Sequence, residues 1–408
     1  MTVQEIRSQF PVLATQVYGK PLVYLDNAAS SQRPLKVIQA WDRLSQEANA
    51  NIHRAVHHLS GLATEAYEGA RVYVKEYLHA EAPEEIVFTS GATASINLVA
   101  FSFGEAFVRE GDEVLVSVAE HHSNLVPWQM LCQRKKATLK VLDIRENGTL
   151  AVEQLEKLLS PRTKIVAIAH ISNVLGIINP VREMVEICHR HGVPVLVDGA
   201  QGIVHSRVDV QELDCDFYAF SGHKVYAATG TGVLYGKKKW LEAMPPFMGG
   251  GEMIETVRLN GTLYAGPPAR FEAGTQNFNA IPTLVPALEL AAAWSGDAEI
   301  IKNQEDITHF VYQYLSSHPL ITLYGRPACE AEKIPLFSFA VKGAHHEDLA
   351  LILDKMGIAL RSGQMCAEPL MDRLGVTGLL RASFAPYNTM EEAEYFIKAL
   401  EKAINMLI

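Results

Sequence analysis

Cysteine is scarce and scattered in this chain. The five cysteines stand at positions 132, 188, 215, 329 and 366, with no Cys-x-x-Cys pair among them. That spacing excludes a zinc ribbon or a disulfide framework, implies no metal centre, and fits a reducing cytoplasm. Long apolar runs are missing as well. The most apolar stretch, Ile281 to Trp294, carries Glu289 and two prolines and is too short to span a bilayer. The opening residues Met1–Arg7 mix charges and have no apolar core of a signal peptide. There is no excess of positive charge either: 36 Lys and Arg face 46 Asp and Glu, giving a net charge of −10 and a pI near 5.9. Neither nucleic acid nor an anionic membrane is therefore an expected partner.

What remains is the composition of an ordinary globular protein, 48% hydrophobic and 20% charged. A chain of 408 residues without repeats or low-complexity tracts suggests more than one domain. From about Glu84 to Lys237, short β-rich runs alternate with amphipathic segments such as Val181–His191. The runs are 85–90, 112–117, 138–144, 164–171, 193–198, 216–221 and 231–236. This alternation predicts an α/β fold with a mostly parallel seven-stranded sheet, helices on both faces and ligands beyond the strands' carboxyl ends. After Gly296 the pattern changes to helix-like segments (300–316, 347–356, 390–407) around short runs at 335–341 and 358–361. A large α/β domain over 21–295 is expected, with a smaller α+β domain built from 1–20 and 296–408. Gly249–Gly251 and Thr262–Pro268 read as surface loops or an extended excursion.

The residues that follow the runs carry chemistry. After 85–90 comes Gly91-Ala92-Thr93 and a helical pattern, a turn whose free N–H groups suit a phosphate, though a plain N-cap explains it equally. After 193–198 comes Asp198-Gly199-Ala200-Gln201, where a carboxylate at the end of an apolar strand needs a partner. It could be an N-cap or an ion pair, or face a protonated ring nitrogen. After 216–221 comes Ser221-Gly222-His223-Lys224; an amine closed into such a site loses hydration, and its pKa falls toward the reactive neutral form. A lone lysine is usually a surface residue. Here an amine, a carboxylate and phosphate donors are the parts that pyridoxal phosphate (PLP) requires. Glu120-His121-His122-Ser123-Asn124 adds an imidazole able to stack on a cofactor ring and shuttle protons. Two adjacent histidines could also bind a metal, but no third ligand stands near them.

With these residues in view, the chain resembles the group II cysteine desulfurases, which include the cysteine sulfinate desulfinases and belong to the fold-type-I PLP enzymes of the class V aminotransferase superfamily. The resemblance runs through YLDNAAS (24–30), NIHRAVH (51–57), EHHSNLVPWQ (120–129), ISNVLG (171–176), VDGAQG (197–202), DFYAFSGHK (216–224), FEAGTQN (271–277), RSGQMCAEP (361–369) and LRASFAPYNT (380–389). It implies that Lys224 binds PLP, Asp198 faces the pyridine nitrogen, His121 stacks on the ring and Gln201 approaches the ring oxygen. Thr93, Ser221 and His223 would hold the phosphate, helped by Thr275 from the second subunit of a homodimer. Asn173 and Arg381, with Arg361 nearby, would hold the substrate carboxylate, for which the planar guanidinium fork is suited.

The reaction is chosen by Cys366, whose neighbours Arg361, Gly363 and Pro369 predict a loop; Cys188 and Cys215 read as buried packing. The expected activity is conversion of L-cysteine to L-alanine, with the sulfur held on Cys366 as a persulfide for an acceptor protein serving iron–sulfur cluster assembly or related sulfur metabolism. The alternative is a selenocysteine lyase or cysteine sulfinate desulfinase, which needs Cys366 less; an aminotransferase or an inactive sulfur-relay scaffold would leave the loop or the cofactor parts without a task. Four places depart from the family pattern: Met365 before the nucleophile, Ala92 and Ala94 in the phosphate turn, and Ala227-Ala228 after the lysine motif.

Overall fold

The computed structural model describes residues 1–329 and 332–408. Its centre is a seven-stranded sheet of β1 (Ile86–Thr89), β2 (Glu113–Ser117), β3 (Thr138–Leu142), β4 (Thr163–Ala169), β5 (Val195–Asp198), β6 (Phe217–Ser221) and β7 (Gly232–Gly236). The spatial order is β1-β7-β6-β5-β4-β2-β3. All seven sequence runs are therefore strands of one sheet. Every neighbouring pair is parallel except the two that β7 makes, with β1 and β6. The link from β6 to β7, residues 222–231, is too short for a parallel crossover, so the chain must turn back.

Side chains alternate between the two faces, as the strand period requires. Val114, Ile165, Leu196, Phe217 and Leu234 enter one core with Trp128 and Phe103, while Leu115, Val166, Val197, Tyr218 and Phe220 enter another with Val185 and Ile203. Cys188 and Cys215 are fully buried in the latter. Both faces being covered explains why the strands read as continuous apolar runs.

A second, antiparallel sheet contains β8 (Ile321–Tyr324), β9 (Leu336–Val341), β10 (Arg361–Gly363) and β11 (Leu379–Ser383) in the order β8-β9-β11-β10. It packs with helices Ala298–Ser317, His346–Lys355 and Met390–Leu407 around a core of its own containing Phe337, Phe339, Phe396 and Leu400. The first twenty residues touch both parts: Ile6, Phe10 and Leu13 lie in the main core, while Arg7 pairs with Glu392 at 2.8 Å. The excursion expected at 262–268 begins as a strand of an exposed hairpin, Ile254–Arg258 against Gly261–Tyr264. Among the described residues no helix is long and apolar enough to cross a membrane.

Candidate active site

Six of the seven strands point the same way, and their carboxyl ends open on a cavity of about 480 Å³. Thr93, His121, Asn173, Ser221, His223, Lys224, Arg361, Cys366 and Arg381 all line it. Asp198 and Gln201 lie just beneath, buried beside the lining residue Ala200. Thr275 is elsewhere; it lines a separate pocket with His53, Arg71 and Glu252.

Lys224 makes no hydrogen bond or ion pair with any described residue. Burial holds its pKa below the ordinary lysine value, Asp198 and Cys366 oppose that shift, and Arg381 adds to it. Asp198 accepts the Ala200 N–H at 3.0 Å on Oδ1. Burial raises its carboxyl pKa against the pull of Lys224. His121 Nδ1 accepts the Ser123 N–H at 3.0 Å, which places any ring proton on Nε2. Burial, Lys224, His122 and Arg381 together push its pKa down to about 3, so the imidazole is neutral. Gln201 Nε2 donates to the Ala28 carbonyl at 2.8 Å.

At the other end of the cavity, Gly91 (φ +151°) turns the chain from β1 into helix Ala92–Phe107. The Ala92 N–H donates to Ser221 Oγ at 2.8 Å, leaving that hydroxyl free to donate onward. A Cβ on Gly232 would stand 2.3 Å from Gly91 Cα, so only glycine lets β7 pass behind the turn. His223 Nδ1 meets Ser30 Oγ at 3.3 Å, and burial with Lys224 and Arg33 lowers its pKa to about 4. Of the departures, Ala227 and Ala228 are fully buried, and Ala228 donates its N–H to Thr283 Oγ1 at 3.2 Å.

The small sheet supplies the third wall. Arg361 and Arg381 are cross-strand partners on β10 and β11, and both approach Asp26, at 3.9 and 3.2 Å. Arg381 also donates to the Asn173 carbonyl at 2.8 Å, and its buried Nε has no partner among the described residues. Cys366 is exposed on a loop after β10, and Met365 and Cys366 hold left-handed conformations at φ 55° and 54°. The loop is tied down: Asn173 Nδ2 donates to the Met365 carbonyl at 2.9 Å, and the His122 N–H to the Cys366 carbonyl at 2.7 Å. Asn173, expected at a substrate carboxylate, is thus engaged with the loop in this state.

Two residues here went unassigned in the sequence. Asp26 closes the arginine pair. Glu120 is buried under His121, where Ser117 Oγ (2.5 Å), Asn124 Nδ2 (2.6 Å) and the Ala169 N–H (3.1 Å) donate to it. Burial pushes its pKa up to about 7, and nearby Asp198 adds to that. The signal was the one that singled out Asp198, a carboxylate just past an apolar strand.

Residues 23–396 match the aminotransferase class-V family. The chain belongs to that family. A protein of Halalkalibacterium halodurans named probable cysteine desulfurase is 47% identical over 407 residues, 98% of each chain. A cysteine desulfurase of Escherichia coli is 45% identical over 407 residues, covering all of this chain and 99% of its own. The crystal structure of an E. coli cysteine desulfurase in an S-sulfonic acid form superposes with a TM-score of 0.91 at 39% identity, over the whole of both chains. An apo cysteine desulfurase from Thermococcus onnurineus gives 0.90 at 36% identity, covering 98% of this chain and 99% of its own. The fold is that of the fold-type-I enzymes, whose cofactor is PLP. The residues present fit that group: a buried amine with no hydrogen-bond partner among the described residues, a buried carboxylate that acts on it electrostatically, and a helix N-terminus whose Ala92 and Thr93 line the same cavity.

Proposed function

We propose that this chain is a PLP-dependent cysteine desulfurase, converting L-cysteine to L-alanine and taking the sulfur on Cys366. The observation that carries the reading is the meeting of Lys224, Arg381 and Cys366 in one cavity, an amine, a carboxylate receptor and an exposed thiol drawn from both sheets. PLP, when bound, supplies an electron-poor ring that accepts the electrons released at the substrate α-carbon. Lys224 is the residue that would bind it, with Asp198 at the ring nitrogen, Gln201 at the ring oxygen and His121 on the ring face. Thr93, Ser221 and His223 would hold the phosphate, joined by Thr275 of a second copy of the chain in a homodimer.

Arg381, supported by Arg361, binds the substrate carboxylate, its fork already oriented by Asp26 and the Asn173 carbonyl. Asn173 reaches the same carboxylate by releasing the Met365 carbonyl, which links substrate entry to movement of the Cys366 loop. Lys224, held below its ordinary pKa, takes the α-proton on Nζ as a neutral amine. His121 stays neutral with its proton on Nε2 and adds no positive charge to the site. The Cys366 thiolate then attacks the substrate sulfur: a sulfur–sulfur bond forms, the substrate carbon–sulfur bond breaks, and the three-carbon remainder takes up one proton at its β-carbon, regains one at its α-carbon from Lys224, and leaves as alanine. The persulfide on its loop is presented to an acceptor protein in the cytoplasm. Purified protein with PLP and L-cysteine is expected to release alanine, with one sulfur per chain on Cys366 by mass spectrometry in the absence of reductant; no alanine overturns the reading.

A further inference from the structure

Cys366 must both strike the substrate inside the cavity and carry sulfur out of it, so something has to hold its loop in and let it go. The loop itself is poorly built to stay. Met365 and Cys366 both sit in the left-handed region, which non-glycine residues rarely adopt. The short helix that follows, Glu368–Leu374, begins at Ala367, which has no side chain to cap it. The missing cap comes from another part of the chain. His122 Nε2 accepts the Glu368 N–H at 3.0 Å, while the His122 backbone N–H donates to the Cys366 carbonyl at 2.7 Å. One residue thus bonds the chain on both sides of Ala367, next to His121 on the cavity wall.

We propose that His122 is a positioning residue that clamps the Cys366 loop in its inward state by capping the helix behind it. The proposal rests on Cys366 being the sulfur carrier. Among the described residues the side chain of His122 hydrogen-bonds only the Glu368 amide, with the His121 ring 6.4 Å away, so its principal effect passes through the loop. Removing one helix cap shifts a two-state equilibrium by about fivefold. Glutamine can place an acceptor oxygen near the position of Nε2, whereas asparagine is too short and alanine has none.

The test is hydrogen exchange in the PLP-loaded enzyme, read at the Ala367 and Leu370 amides. These bond to the Gln364 and Ala367 carbonyls within the loop and not to His122, so a purely local loss would leave them protected. His122→Ala and His122→Asn are expected to exchange at both about fivefold faster than wild type, and His122→Gln at the wild-type rate. The Ala and Asn variants should show kcat for cysteine lowered by a similar factor, with Gln restoring it. Unchanged exchange at Ala367 and Leu370 in the Ala and Asn variants, or no rescue by Gln, overturns the clamp. A wild-type chain that made no alanine would overturn the desulfurase reading instead, leaving the exchange comparison intact.

Discussion

Glu120 shows how much a single buried carboxyl does beneath this site. Its ordinary pKa of 4.5 rises to about 7 in the fold because burial penalises the charge more than its donors repay. The folded chain therefore holds the proton more tightly than the unfolded one. Its stabilising contribution is full below about pH 4.5, declines as pH rises, and is gone above about pH 7, a difference of about 3 kcal/mol. Glu120→Gln, which cannot ionise, should lose about 2–3 kcal/mol less than wild type between pH 5 and pH 8 in urea unfolding. Parallel pH dependences in the two proteins would show that Glu120 does not titrate in this range. At the same scale, the gathering of Lys224, His121 and Asp198 at one cavity was legible because each stands at or just past the carboxyl end of a strand, where residue type and place together suggest chemistry. Asp26, His122 and the Asn173–Met365 bond were not, since each acts through a partner at least 192 residues away.

Among the elements, the strands were the most legible part. Burial on both faces makes β2, β4, β5 and β6 continuous apolar runs, visible without any knowledge of their neighbours. Their spatial order was not visible, because pairing β7 between β1 and β6 depends on contacts far apart in sequence. The close passage of β7 behind the Gly91 turn belongs to the same class. Gly232→Ala places a methyl group against the backbone of that turn, at 2.3 Å from Gly91 Cα, where no side chain can yield. The expected cost is about 1–3 kcal/mol of stability. The displaced helix N-terminus should also weaken PLP retention, measured by titrating the apoenzyme and following cofactor absorbance. Retention and melting temperature equal to wild type would contradict this account of the turn.

At the scale of the whole molecule, the site exists only where two sheets meet. The large sheet brings Lys224 and Ser221, the small sheet brings Arg361, Arg381 and the Cys366 loop, and Thr275 stands outside the cavity. Under the proposed function that layout separates the tasks: the large sheet would prepare the substrate, and the small one would bind its carboxylate and remove its sulfur. The sharpest test uses the PLP-loaded Cys366→Ala variant, given L-cysteine and L-selenocysteine in parallel and assayed for alanine. Cofactor absorbance should be retained, and turnover of cysteine should fall by on the order of a hundredfold, while selenocysteine, with its better leaving group, is still converted. Cysteine turned over at the wild-type rate without Cys366 would contradict the account.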